Sequence, residues 1–272
     1  MHTTTLDVPG ARLYCELRGA GPLLLLVGAP MDARAFEGLA EALAGDFTVL
    51  TTDPRGINRS TVADRGAECT PRVRADDLAR IVRSVPHTGP AVVFGTSGGA
   101  VSVLELAQRH PELLELVVAH EPPLDEMLPD RRELYAATED MIAVYAAGDH
   151  LAAMRKFLQI ANIELPEPVF AQYFGGPRSA QQVADDDYQF FAMLRSSVRW
   201  LPDLDALRRT RVLVGIGEQS TDQLCDRAAR ALAEQLGVWP TMFPGDHTGF
   251  LDDPAGFAAR LRAVIDPVTS VP

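Results

Sequence analysis

Residues Gly95-Thr96-Ser97-Gly98-Gly99 constrain this chain more than any other stretch. They follow an apolar run over 91–94 that reads as a buried strand, and they precede 100–107, which reads as a helix. A serine at so tight a strand-to-helix turn is forced into an uncommon backbone conformation. Strand and helix can approach closely there only if the neighbours are small. Gly95 and Gly99 supply the room, because neither carries a Cβ. The turn pushes the Ser97 hydroxyl out of the sheet and aims the first helical N–H groups at whatever the hydroxyl attacks. A glycine-rich turn with an incidental serine is the alternative. The strand before Ser97 and the helix after it favour a nucleophile.

The regions around this turn alternate. Residues 3–8 and 12–17 read as strands joined at Pro9-Gly10, and 23–27 is a continuous apolar run suited to a strand buried on both faces. A helix over 34–43 follows, then a strand over 47–52 ending at Asp53-Pro54-Arg55-Gly56, then a helix over 76–85. Past the Ser97 turn, 116–119 is a strand closed by Glu121-Pro122-Pro123. Such alternation implies an α/β fold with a mostly parallel sheet.

Between 124 and 205 the strands stop. Helical segments run over 131–147, with Asp130 as N-cap and Gly148 as terminator, and over 151–162 and 180–199. The alternation resumes with a strand over 212–216, a helix over 222–236, a strand over 238–243 and a helix over 254–265. The expected organisation is a core of 1–123 and 206–272 with a helical insertion at 124–205.

Charge narrows the partners. With 25 Lys and Arg against 37 Asp and Glu, the net charge is -12, which repels nucleic acid and anionic membranes. The Arg72-Val73-Arg74 and Arg208-Arg209 groups are too short to offset it. Cys15, Cys69 and Cys225 are scattered and odd in number, so neither a metal site nor a disulfide framework is expected. The first residues lack a basic region followed by an apolar core, and 23–27 is too short to span a bilayer, so a cytoplasmic protein is expected. Monomer and homodimer both stay open.

Several motifs now stand in a telling order: the opening hairpin, Gly28-Ala29-Pro30, Asp53-Pro54-Arg55-Gly56, the Ser97 turn and Gly245-Asp246-His247. In that order the chain resembles the α/β-hydrolase superfamily over nearly its whole length. It is nearest in flavour to the esterases, lactonases and perhydrolases. The resemblance implies an eight-stranded, mostly parallel sheet flanked by helices, with 124–205 as a cap or lid. Haloalkane dehalogenases and epoxide hydrolases carry aspartate at this turn, so Ser97 argues for acyl transfer instead.

A serine nucleophile needs a base. The resemblance assigns that role to His247, in the loop before the terminal helix; a loop histidine in a local hydrogen bond is the alternative. His110 reads as a helix cap, and His2, His87 and His150 as exposed loop residues. For His120, beside the candidate acid, packing and function are not separable. An oxyanion hole needs two backbone N–H groups. Gly98 supplies one, and by resemblance Ala29 supplies the other, although Val27 stands where the commoner loop has histidine. That loop has the alternative of merely connecting strand to helix.

For the acid the chain departs from the commoner pattern, since Ser220 occupies the usual position in Gly217-Glu218-Gln219-Ser220-Thr221-Asp222. A subset of the superfamily places a glutamate directly after the strand that here ends at Ala119, which designates Glu121. A carboxylate at that strand end points into the same crevice as the turn, and two prolines stiffen the chain beside it. Glu121 is favoured over Glu218 and Asp222; a carboxylate that touches only substrate or cap is the alternative. Asp53 and Arg55 read as loop-holding residues, and Asp32 and Arg34 as surface or capping residues near the mouth.

Ten of the eighteen aromatics fall between 124 and 205, Phe157, Tyr145, Phe190 and Trp200 among them, which suggests an apolar, partly aromatic pocket over Ser97. The expected activity is cofactor-independent hydrolysis of a small, mainly apolar ester, thioester or lactone. The alternatives are C–C hydrolysis, perhydrolysis or cyclisation on the same fold, or a ligand-binding receptor without turnover.

Overall fold

A computed structural model describes residues 1–269. Nine strands form one sheet: β1 (His2–Val8), β2 (Ala11–Arg18), β3 (Leu23–Val27), β4 (Thr48–Thr52), β5 (Thr61–Val62), β6 (Ala91–Thr96), β7 (Leu114–His120), β8 (Val212–Gly217) and β9 (Thr241–Phe243). The order is β1-β2-β4-β3-β6-β7-β8-β9, with β5 paired to β2 off this path. Eight strands thus make the continuous sheet, and the ninth is a two-residue addition that carries too little pattern to be read from sequence. β1, β2 and β5 are antiparallel to their partners, while β3, β4 and β6 to β9 run parallel.

The parallel strands are buried on both faces, and side chains alternate between two cores. Leu23, Leu25 and Val27 of β3 join Leu78, Ile81, Leu104 and Leu232 on one side. Leu24 and Leu26 join Leu39, Leu43, Phe257 and Leu261 on the other. Each fully buried leucine contributes about 1.5–3 kcal/mol of transfer free energy. After β3 the chain crosses to β4 on one side, and it later returns to β6 on the other. The strand order therefore reverses between β3 and β6, which opens a crevice at their C-terminal ends.

Several boundaries differ from the sequence reading. The helix Pro71–Ser84 starts earlier, because the Thr70 hydroxyl accepts the Val73 N–H and Pro71 is preset for a first turn. β9 is shorter than 238–243, with Trp239 almost wholly exposed and Pro240 lacking an N–H. The expected helix over 180–199 is Ala180–Tyr188, a π turn at Gln189–Met193 and Leu194–Val198. Between β7 and β8 lies a further helix, Glu167–Phe174, which was not foreseen. Asp130 precedes Arg131–Ala146 but does not cap it; its carboxylate takes Arg227 at 2.6 Å. His2 sits in β1, His87 is partly buried against the Val85 carbonyl, and His150 is partly buried at the start of the helix His150–Ala161, so none of these three is an exposed loop residue.

The segment between β7 and β8 is tied to the sheet-flanking helices by buried polar bonds. Arg74, fully enclosed, donates to Ser102, to the Cys69 carbonyl and to Ser197. Trp200 donates to Glu105 at 2.9 Å. Among the described residues no helix is long and apolar enough to cross a membrane.

Candidate active site

Ser97 stands where β6 meets the helix Gly98–Arg109, with φ 56° and ψ −129°. That conformation is strained for a residue with a Cβ, and it persists because the surroundings allow no other. A Cβ on Gly99 would lie 2.1 Å from the Val27 carbonyl oxygen, and one on Gly95 would lie 2.6 Å from the Gly99 carbonyl oxygen. The Ser97 N–H donates to the His120 carbonyl at 3.0 Å, which locks the turn to β7.

The loop after β3 abuts this turn. A Cβ on Gly98 would stand 2.3 Å from the Ala29 carbonyl oxygen, and Ala29, Ser97 and Gly98 line one cavity. As the first residue of its helix, Gly98 has an N–H with no carbonyl one turn back to receive it. Asp53, fully buried, braces the neighbouring loop by accepting the Ala33 N–H at 3.0 Å and the Arg59 side chain at 2.7 and 2.9 Å. Arg55 pairs with Asp77, and Asp32 caps the turn Ala33–Phe36 while pairing with Arg34.

Glu121 is completely buried just past β7, itself at φ 49°. Its Oε1 accepts the Gly217 N–H at 2.8 Å, and its Oε2 meets His247 Nδ1 at 2.5 Å. Burial alone would raise this carboxyl; the bond to His247 and the neighbouring His120 and His247 rings outweigh it and hold the group at about 2. An ionised carboxylate only accepts, so His247 presents Nδ1–H to Glu121 and leaves Nε2 free as a base. Ser220, buried beside Glu121, also favours the ionised form, although its hydroxyl makes no well-aligned bond. Glu218 and Asp222 are exposed, and neither bonds His247. His247 sits in a loop fixed by Asp246, which accepts both the N–H and the hydroxyl of Thr248. Ser97 and His247 line the same cavity without a closed hydrogen bond; such bonds commonly tighten only once substrate is bound.

His120 is enclosed by Phe94, Phe243 and Phe257, with Nδ1 3.0 Å from the Thr96 hydroxyl. Burial pushes its ring down to about 4, so it is neutral near pH 7. Its place is in packing, behind the Glu121–His247 pair.

The cavity holds about 150 Å³ and is lined mainly by apolar side chains, including Met141, Ile160, Met193, Leu194, Val198 and Leu224. A cavity of that size accepts about one benzene ring. Phe157 is its one Phe, Tyr or Trp lining residue among those described, so the pocket beside Ser97 is apolar as expected while its aromatic share is a single wall. The other aromatics of this segment pack its own interior, dock it on the core or lie outward. Tyr145 and Phe190 stack at 4.1 Å, Tyr188 presses on Gly56, and Tyr173 is 72% exposed. Cys225 also lines the cavity, but burial pushes its thiol well up, so it is not a thiolate competitor. Asp125 lines it too. Sequence reasoning missed Asp125, since an acid after a proline turn has no signature apart from solvated surface. It also missed Gln189 and Met193, which the π turn delivers; such turns recur at functional sites. Among the described residues no group of three His, Cys, Asp or Glu is placed to hold a metal.

Residues 23–260 match the model of the alpha/beta hydrolase family. The uncharacterized hydrolase YraK of Bacillus subtilis (strain 168) is 32% identical over 96% of this chain and 95% of its own. The zearalenone hydrolase of Bionectria ochroleuca is 28% identical over 94% of each chain. Among solved structures, an esterase from Exiguobacterium antarcticum superposes with a TM-score of 0.73 at 20% identity, covering 98% of this chain and all of that one.

Proposed function

Since the chain belongs to the α/β hydrolase family, we propose that it is a serine hydrolase cleaving small, mainly apolar esters, thioesters or lactones through an acyl-enzyme. The observation that carries this reading is the 2.5 Å contact between His247 Nδ1 and the buried Glu121, formed at the wall of the cavity that holds Ser97.

The chemistry follows from the geometry. Ser97 attacks the carbonyl carbon while His247 Nε2 takes its proton. Glu121 keeps the proton of the imidazolium on Nδ1 and offsets its charge. The oxyanion develops between the N–H groups of Gly98 and Ala29, where fixed donors act in a water-poor cleft. His247 then protonates the leaving group, and a water deprotonated by the same ring releases the acid. Every proton is handled by this chain, and no cofactor is required. The small apolar cavity supports a short acyl or alcohol group. The names of the relatives and structural neighbours, hydrolases and an esterase, agree with this class.

The test is stopped-flow hydrolysis of p-nitrophenyl butyrate. A burst of nitrophenolate followed by steady turnover, both lost in Ser97→Ala, supports the reading. A single burst without turnover indicates a receptor, and unchanged turnover in Ser97→Ala overturns the assignment.

A further inference from the structure

One carboxyl in the cavity has no part in the acyl transfer just described. Asp125 opens the 3-10 turn Asp125–Met127, one residue, Leu124, after the Pro122-Pro123 pair that follows Glu121. Its side chain is fully buried, it lines the Ser97 cavity, and neither carboxyl oxygen has a hydrogen-bond partner. The neighbouring charged groups are otherwise engaged. Glu121 is bonded twice, and Arg227, the cation that acts on Asp125, donates to Asp130 at 2.6 Å instead. Cys225, on the facing helix Leu224–Leu236, keeps its proton.

An unpartnered buried carboxyl destabilises the fold it sits in. Nearly all buried polar groups in proteins are bonded, and an exception at the wall of a binding cavity is explained when a ligand completes it. We propose that Asp125 is a specificity-determining residue, whose carboxyl receives a hydroxyl of the substrate. The preferred ester then carries one hydroxyl on an otherwise apolar acyl or alcohol part. This rests on the serine-hydrolase reading above and names its substrate class.

A hydroxyl fits for two reasons. It donates and accepts, so it satisfies the carboxyl in either protonation state. Burial pushes Asp125 up to about 7, so both states are populated near neutrality. An ammonium group would need the carboxylate fully ionised in apolar surroundings. The rest of the lining, Met141, Ile160, Leu194 and Val198 among it, suits the apolar remainder.

The test compares short esters with their hydroxylated counterparts: p-nitrophenyl butyrate with its 3-hydroxy form, and ethyl butyrate with 2-hydroxyethyl butyrate. Asp125→Leu and Asp125→Asn are assayed beside the unmodified protein. For at least one pair the unmodified protein prefers the hydroxylated ester in kcat/KM by tenfold or more. Asp125→Leu reverses the preference, lowering the hydroxylated ester at least about a hundredfold relative to the plain one. The plain ester is turned over faster than before, because its apolar part no longer packs against an unpartnered carboxyl. Asp125→Asn, which keeps an acceptor, retains most of the preference. Asp125→Leu also melts about 3 °C or more higher, because the unpartnered group is gone. A merely structural carboxyl predicts the reverse, a lower Tm with both esters slowed alike. That result, or a hydroxyl preference absent at first or unchanged in Asp125→Leu, overturns the proposal. Failure of the serine-hydrolase reading looks different: no ester is turned over, or Ser97→Ala is as active as the unmodified protein.

Discussion

Replacing Glu121 with glutamine tests the site at its most connected point. Glu121 serves two donors, the Gly217 N–H at 2.8 Å and His247 Nδ1 at 2.5 Å. Glutamine has one acceptor oxygen and one NH2. The buried backbone N–H cannot change its role, so the oxygen stays on Gly217 and the NH2 faces His247. The ring then satisfies the NH2 by accepting at Nδ1, which places its proton on Nε2, toward Ser97. Both contacts that Glu121 makes are thus replaced by hydrogen bonds, and the fold survives. The imidazole, however, is in the tautomer that cannot take the serine proton, and the charge that stabilised its cation is gone. The matching aspartate-to-asparagine change in a Ser-His-Asp triad costs about 10⁴-fold in kcat. For Glu121→Gln we expect a loss of about 10²–10⁴-fold in kcat, or about 3–5 kcal/mol of transition-state stabilisation, with KM little changed. The assay is steady-state hydrolysis of p-nitrophenyl butyrate alongside circular dichroism melting. Glu218→Gln and Asp222→Asn, on exposed side chains away from His247, keep near-normal turnover. Near-normal turnover in Glu121→Gln with a crippled Glu218 or Asp222 variant refutes the reasoning.

Two further predictions concern the cavity and pH. Phe157→Ala removes the one aromatic wall among the described residues and should raise kcat/KM for octanoyl over acetyl esters at least about tenfold, since one methylene in an apolar pocket is worth about 10–200-fold; an unchanged chain-length profile, measured across acyl lengths, contradicts the assigned wall. His120, held at about 4 against an ordinary 6.5, takes up its proton more readily when unfolded. The stability that neutral His120 contributes is therefore complete above about 6.5 and is lost as pH falls toward 4. Glu121, depressed to about 2, adds a second loss as pH falls below its ordinary 4.5. Asp125, held at about 7 against an ordinary 3.8, works in the opposite sense, since its folded form takes up a proton more readily as pH falls. Urea midpoints measured from pH 8 to 4 in Asp125→Leu, which lacks that opposing carboxyl, should therefore fall, and adding His120→Phe should flatten the upper part of that curve; an equally steep curve assigns the loss elsewhere.

The legible parts of this chain are those that local backbone demands or two-sided burial write into the sequence. The Ser97 turn shows because Gly95 and Gly99 have no room for a Cβ. The central strands show because Leu23–Val27 and its neighbours bury both faces and read as unbroken apolar runs. The helix start at Thr70-Pro71 carried its signal in plain view, yet the arginines after it obscured the apolar period. The aromatic surplus was misleading for a physical reason. Large rings are the economical filler for a small helical layer, so Tyr145 and Phe190 stack inside it and do not reach the cavity. What lines the cavity depends on the π turn at Gln189–Met193 and on the burial of Asp125, and both arise only from tertiary packing. The Glu121–His247 contact spans 126 residues, so residue spacing alone could not choose among the three carboxylates.

The central claim is that Ser97 is the nucleophile, and trapping it is the most direct measurement. The protein is treated with a fluorophosphonate, and the adduct is located by intact-mass and peptide mass spectrometry. The account predicts one adduct per chain, on Ser97, slowed strongly in Glu121→Gln and absent from Ser97→Ala. An adduct on any other residue, or an unreactive chain that still turns over esters, contradicts it.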